Sequence, residues 1–306
     1  MLYTMNGFKI YTEDDFFGAV TSIEVDNVYD DYIKNQAIRK INENKIEHYS
    51  SGDYDLSILK YCPSIKHISI SGEADLSILK EISHLEGLSI GYLIGENAKY
   101  DFGQLKNLKK LKIFEPGKNI SFLSLNSIEK LEISYYTYED FSRLSPLKNL
   151  KSLRINTAHR LKSLKGIEVF KDLENLTLDY CLKLEEIDYL KFLCETLKHL
   201  NLIDCNKIQD LQVLSDLKYL ETLKLCASET LKKNVISSVK FIANLRYLKS
   251  FMTDYKIVDM DLAPLLRLDE AIILKEYKGY NLKADDLPRK FEIVKNGDRY
   301  ELKAKQ

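Results

Sequence analysis

Between residues 65 and 273 the apolar positions fall into one recurring frame, L-x-x-L-x-L, with other apolar residues admitted. It is filled by IKHISI (65–70), LEGLSI (85–90), LKKLKI (108–113), IEKLEI (128–133) and LKSLRI (150–155). LENLTL (173–178), LKHLNL (197–202) and LETLKL (220–225) follow, with weaker copies LKSFMT (248–253) and LDEAII (268–273). The fourth positions are 68, 88, 111, 131, 153, 176, 200, 223, 251 and 271, spaced by 20 to 28 residues. Positions four and six lie two apart, so on a strand both face the same side. One short strand cannot bury that side alone. Stacking the copies in parallel buries each against the next, which predicts about ten strands along one face of a solenoid.

A second motif precedes many strands, Asp-(Leu/Phe)-x-x-Leu, as in DLSIL (55–59 and 75–79), DFGQL (101–105), DFSRL (140–144), DLQVL (210–214) and DLAPL (261–265). An aspartate there predicts the cap of a short helical or 3-10 turn on the opposite, convex side. The longest interval, between 223 and 251, carries Leu231, Val235, Val239 and Ile242 at helical spacing after Ser228. It predicts a full helix within 229–243, capped by Ser228.

Both ends carry hairpin signals, Asn6-Gly7 and Asn296-Gly297. The second predicts Phe291 opposite Leu302 and Ile293 opposite Tyr300, on a face that covers the last coil. VTSIEVDN reads as a strand, and DDYIKNQAIRKINEN as a helix capped by Asp30 with Ile33, Ala37, Ile38 and Ile41 buried. The expected organisation is an N-terminal cap over 1–50, repeats over 51–285 and a C-terminal capping hairpin over 286–306.

Frame, period and short convex turns together resemble the leucine-rich repeat family, in particular the bacterial, internalin-like type. The resemblance covers about residues 51–285. It implies an α/β leucine-rich repeat solenoid, with a curved parallel concave sheet, a short 3-10 or helical convex side and a cap at each end. It also implies a place for the cysteines. The ninth position of such repeats usually holds Asn or Cys, and here it holds Cys181 and Cys205, whose thiols are expected to donate weakly to carbonyls of neighbouring coils. Cys62 and Cys194 fall at core positions. Cys226, at a seventh position, is expected to face solvent.

Composition narrows the function class. The chain has 306 residues, 45 Lys and Arg against 46 Asp and Glu, and a net charge of −1, which gives no global pull toward nucleic acid or anionic lipid. No apolar run approaches a membrane span, and the first residues show no basic or apolar leader region. Five cysteines without CxxC spacing point to a reducing, cytoplasmic setting. No HExxH, GxSxG or phosphate-loop pattern occurs. Cys226 and His199 would lie about four residues, or roughly 13 Å, apart on neighbouring strands, too far for a nucleophile and its base. The expectation is no enzyme, no cofactor and no metal.

A binding surface remains. Third, fifth and seventh positions point out of the concave sheet, and eighth positions form its rim. Lys112, Glu132 and Arg154 alternate in sign at successive fifth positions and are expected to satisfy one another. Lys110 and Lys130 are like charges at successive third positions, expected to stand open for an acidic partner. Phe114 and the rim residues Tyr92, Tyr135 and Tyr180 form a broken aromatic ridge of the kind that anchors interfaces. The sequence therefore predicts a monomeric protein that binds another protein, with no nucleic-acid or membrane partner. A cytosolic immunity or inhibitor protein acting on a toxin or effector fits this pattern; an exported effector or adhesin is the alternative.

Overall fold

The computed structural model of the chain describes residues 3–5, 8–25, 31–51, 56–70, 75–92, 100–116, 120–208, 210–227, 235–289, 291–296 and 299–304. Two compact units are distinguished by their internal contacts, Met1–Tyr135 with Pro146–Leu150, and Tyr136–Ser145 with Lys151–Gln306.

The first unit contains β1 (Tyr3–Met5), β2 (Phe8–Asp15), β3 (Gly18–Val25), α1 (Asp31–Asn44), β4 (His48–Ser51), β5 (His67–Ile70), β6 (Gly87–Tyr92), β7 (Lys110–Phe114) and β8 (Lys130–Ser134). β1, β2 and β3 pair antiparallel, and from β3 to β8 every pairing is parallel. The sheet therefore begins two strands before the first predicted copy. IEHYSS (46–51) supplies one of them, because Ile46 and Tyr49 keep the frame and are fully buried. Met5 pairs with Phe8, as the Asn6-Gly7 signal requires, while the turn residues and Asp30 lie outside the described residues. On α1, Ala37 and Ile41 are buried, and Ile33 and Ile38 are half-buried.

The second unit contains β9 (Ser152–Asn156), β10 (Asn175–Asp179), β11 (His199–Ile203), β12 (Thr222–Cys226), β13 (Val235–Ile236), β14 (Ser250–Thr253), β15 (Lys256–Ile257), β16 (Glu270–Ile273), β17 (Phe291–Asn296) and β18 (Arg299–Ala304). β9, β10, β11, β12, β14 and β16 pair in parallel and in register. Each of the ten predicted copies is thus a strand, β5–β8 in the first unit and these six in the second. Fourth and sixth positions are buried throughout, among them Leu153, Leu176, Leu200, Leu223 and Phe251. Each such side chain contributes about 1.5–3 kcal/mol of transfer free energy.

The aspartates cap as their motif predicts. Asp75, Asp101, Asp140, Asp210 and Asp261 each accept from the backbone N–H two residues on, at 2.8–3.0 Å. A second device recurs where the chain leaves the strand. Glu115, Tyr135, Thr157, Tyr180 and Asp204, all at eighth positions, take left-handed backbone with φ of 46–60°. Glu115, Thr157, Tyr180 and Asp204 donate their N–H to the seventh-position carbonyl of the next coil, so the strand ladder gains one more rung while the chain turns.

Three expectations need correction. Within the described part of 229–243 there is no α-helix. Val235 and Ile236 form β13 against β15, and a 3-10 turn follows at Lys240–Asn244. Val239 and Ile242 reach the core but Val235 is exposed, so the apolar spacing serves a strand and a turn; Ser228 and Leu231 lie outside the described residues. The C-terminal hairpin is shifted by two, with Phe291 opposite Ala304, Ile293 opposite Leu302 and Lys295 opposite Tyr300. Its ends close at Asn296 and Arg299, so Gly297 leads the two-residue loop, another favoured place for glycine. What meets the last strand in the described residues is Pro288, whose carbonyl accepts from the Ala271 N–H, beside the buried Leu287.

Candidate binding face

In the first unit the third positions align as a row: His48, His67, Gly87, Lys110 and Lys130. The row is not open. The Phe16-Phe17 turn joining β2 to β3 lies across it, and Phe17 is 3% exposed. Its ring stacks on His67, with centroids 4.9 Å apart and planes at 11°, and meets His48 edge-on at 4.9 Å. Gly87 makes room, since a Cβ there would lie 2.5 Å from His67 Nδ1 and 2.8 Å from the Phe17 ring. Lys110 Nζ donates to the Phe17 carbonyl at 2.6 Å. Lys130 Nζ donates to the Phe16 carbonyl at 2.5 Å and sits 4.6 Å from the centre of the Phe16 ring. The two lysines expected to await an acidic partner therefore hold the protein's own hairpin. Their like charges tolerate one another because backbone carbonyls and a π face lie between strands and solvent.

Beyond this row the first unit keeps an open patch. Lys112 pairs with Glu132 at 3.1 Å, as the alternation of sign predicts. Phe114 and Tyr135 bring their rings to 4.8 Å, and Tyr135 remains 42% exposed. Tyr92 pairs with Phe114 through the backbone across a bulge; its side chain lies outside the described residues.

In the second unit Arg154 turns to Asp179, at 4.0 Å, and to Asn156 Oδ1, at 3.1 Å. Tyr180 stands 42% exposed on the rim. Burial pushes the Asp179 carboxyl above its ordinary range, with Arg154 pulling it back and Asp204 adding to the rise. Asp254 is likewise raised by burial while accepting from the Ala227 N–H at 2.9 Å.

Cys181 and Cys205 are buried and unbridged. Cys205 lies 3.6 Å from the Leu178 carbonyl of the preceding coil and 3.4 Å from that of Ile203, and Cys181 lies 3.7 Å from that of Asp179. Their contact and their burial raise the Cys205 thiol well above its ordinary range. Cys62 is in the core as expected, whereas Cys194 is only half-buried. Cys226 was expected to face solvent and is instead 6% exposed, its thiol pushed up to about 12 by burial. The rim above it is closed by Asp254 and the Met252 carbonyl, 3.9 Å from Sγ. His199 is engaged with Thr222, Nδ1 to Oγ1 at 2.9 Å. Among the described residues no group of three or more His, Cys, Asp or Glu is placed to hold a metal ion.

Two features escaped the reading of the sequence. The hairpin tip did, because DDFFG carries no Asn-Gly signal. The other is a charge pattern at the second positions: Glu47, Lys66, Glu86, Lys109, Glu129, Lys151, Glu174, Lys198, Glu221, Lys249 and Asp269 alternate in sign without a break. Reading the frame one place after its first leucine would have found it. In the first unit Lys66 pairs with Glu47 at 2.6 Å and Lys109 with Glu86 at 3.0 Å. In the second, Lys198 pairs with Glu174 at 2.8 Å and Lys249 with Glu221 at 2.6 Å.

No protein-family model matches the chain, and no curated protein matches it. Solved structures do. An internalin (inlF) of Listeria monocytogenes is similar at a TM-score of 0.50 and 17% identity, over 76% of this chain and 68% of that one. TLR13, solved as a complex with ssRNA13, is similar at a TM-score of 0.55 and 20% identity, over 75% of this chain and 36% of that one. The fold is an internalin-like leucine-rich repeat solenoid. At these identities the likeness establishes the leucine-rich repeat architecture and leaves function to the surface.

Proposed function

We propose that this is a non-catalytic leucine-rich repeat protein that binds another protein through the open part of its concave face. The carrying observation is the Phe114–Tyr135 pair beside Lys112 and Glu132. Tyr135 is 42% exposed, yet it springs from a backbone position locked in the left-handed region and leans on a second ring. Such a side chain has little freedom left to lose on binding, and aromatic anchors of this kind contribute about 2 kcal/mol or more on truncation. In the second unit Tyr180 and Arg154 offer a similar patch. Catalysis has little to work with there, since His199 is engaged with Thr222 and the Cys226 thiol is buried and held neutral.

Within that reading the protein acts in the cytosol as an immunity or inhibitor protein that covers a toxin or effector. Five unpaired cysteines, two of them in contact, support a reducing compartment. The test is affinity capture from the native cell with the wild type and Tyr135→Ala side by side. A partner protein should bind the wild type and lose about thirtyfold in affinity with the variant, through faster dissociation. Recovery of a nucleic acid in its place would overturn the reading, and recovery of the chain outside the cell would replace the inhibitor role with an exported effector.

A further inference from the structure

The five third positions in the first unit form a seat that the protein fills with its own hairpin. We propose that the tip of the β2–β3 hairpin is an acid-released latch over this part of the concave face, closed at neutral pH and lifted when the His67 imidazole takes up a proton. The inference rests on the binding reading above, since it concerns access to that same face.

The hairpin is built to lift without unravelling the sheet. β3 pairs with β4 only from Ser22 to Val25. Gly18–Thr21 pair with β2 alone, so the distal half is held down by the tip contacts themselves. Those contacts are Phe17 on the two imidazoles and the two lysine–carbonyl bonds. The lysines stay charged across the physiological range and grip equally at any pH there. The imidazole does not.

His67 is stacked under Phe17, and its Nδ1 is buried with no hydrogen-bond partner. A proton added to that nitrogen would place a charge in a site without an acceptor, beneath an apolar ring. The groups facing it act in opposite directions. Burial and then Lys110 and His48 hold the imidazole down to about 4, against a smaller upward pull from Glu86 and Glu47. Lifting the tip exposes the ring and frees Lys110 to swing into solvent, which returns His67 toward the ordinary value near 6.5. A base with a lower pKa in the closed state favours closure above about pH 6.5. It loses that preference progressively as the pH falls toward 4. Between pH 7.5 and 4.5 the closed-to-open ratio should fall by about two orders of magnitude. The open state presents Lys110, Lys130 and both imidazoles to a partner.

The test uses the intact chain alone, so its outcome does not depend on whether a partner is ever found. Amide hydrogen exchange, corrected for the intrinsic pH effect, is followed for residues 12–21 and for β5–β7 at pH 7.5, 6.0 and 4.5. The tip amides should lose protection by about a hundredfold across that range while β5–β7 keep theirs. His67→Phe retains the stacking ring and removes the titration, so its tip should stay protected throughout. Proton NMR of the His67 ring should titrate near 4 in the wild type, and clearly higher in Phe17→Ser. Equal tip protection at pH 7.5 and 4.5 would overturn the latch. So would an unchanged acid response in His67→Phe, a His67 midpoint unmoved by Phe17→Ser, or loss of β5–β7 protection together with the tip.

Discussion

Single residues show where position in the frame is enough and where it is not. Cys181 and Cys205 were placed correctly, because the ninth position turns inward in every coil and what surrounds it is more coil. Cys226 was not, because its seventh position lies under a rim supplied by Met252 and Asp254 from the next coil. Maleimide should therefore label Cys194 first in the native protein, with Cys62, Cys181, Cys205 and Cys226 reacting only as fast as the coils open. Mass spectrometry of partially labelled protein checks the order. Cys181→Ala and Cys205→Ala should each cost about 1–2 kcal/mol, a small core truncation plus a weak bond, by chemical denaturation. Lys110 and Lys130 make the same point from the surface. Their direction was legible, but the object above them comes from more than ninety residues away in the chain, Phe17 to Lys110 spanning 93 and Phe16 to Lys130 spanning 114. Charge reversal at both should release the hairpin tip before it affects any partner.

At the scale of elements, the strands were legible because a period of two inside a period of about twenty-three leaves no other element that buries all its leucines. The convex side was legible only in part. Aspartate caps announce themselves, whereas Val235, Val239 and Ile242 satisfy a helical spacing while serving a strand and a 3-10 turn. Asp140→Ala should cost about 1 kcal/mol, the ordinary loss of a cap. Gly166→Ala should cost more, roughly 2 kcal/mol or above, for two additive reasons. Gly166 sits at φ +95°, and a Cβ there would lie 2.4 Å from the Ser142 nitrogen and 2.5 Å from the Phe141 carbonyl carbon, backbone atoms that cannot rotate away. If thermal unfolding ranks Asp140→Ala below Gly166→Ala in stability, the convex turns are held by side-chain caps more than by backbone fit.

At the scale of the molecule, a net charge of −1 conceals order. The second positions alternate in sign over eleven successive coils, and backbone bonds bind the same residues: the N–H of Lys198 donates to Glu174 and that of Glu221 to Lys198. One pair, with side chains 41–44% exposed, contributes little by itself, about 0.2–1 kcal/mol after solvent screening. The row matters through what it forbids. In a stack of near-identical coils the leucines alone do not distinguish one neighbour from the next but one, whereas a mispaired coil meets its own sign. Glu174 lies between Lys151 and Lys198 in sequence order of coils, and the backbone of its coil is bonded to both. Glu174→Gln removes one attraction and should cost about 0.5 kcal/mol. Glu174→Lys sets three like charges in a row and should cost about 1–2 kcal/mol at low ionic strength. In 1 M salt the Debye length falls to about 3 Å, and the gap between the two variants should shrink to a few tenths of a kcal/mol. Urea unfolding at both ionic strengths measures that gap, and equal stability of the two variants at low salt would reduce the alternation to decoration.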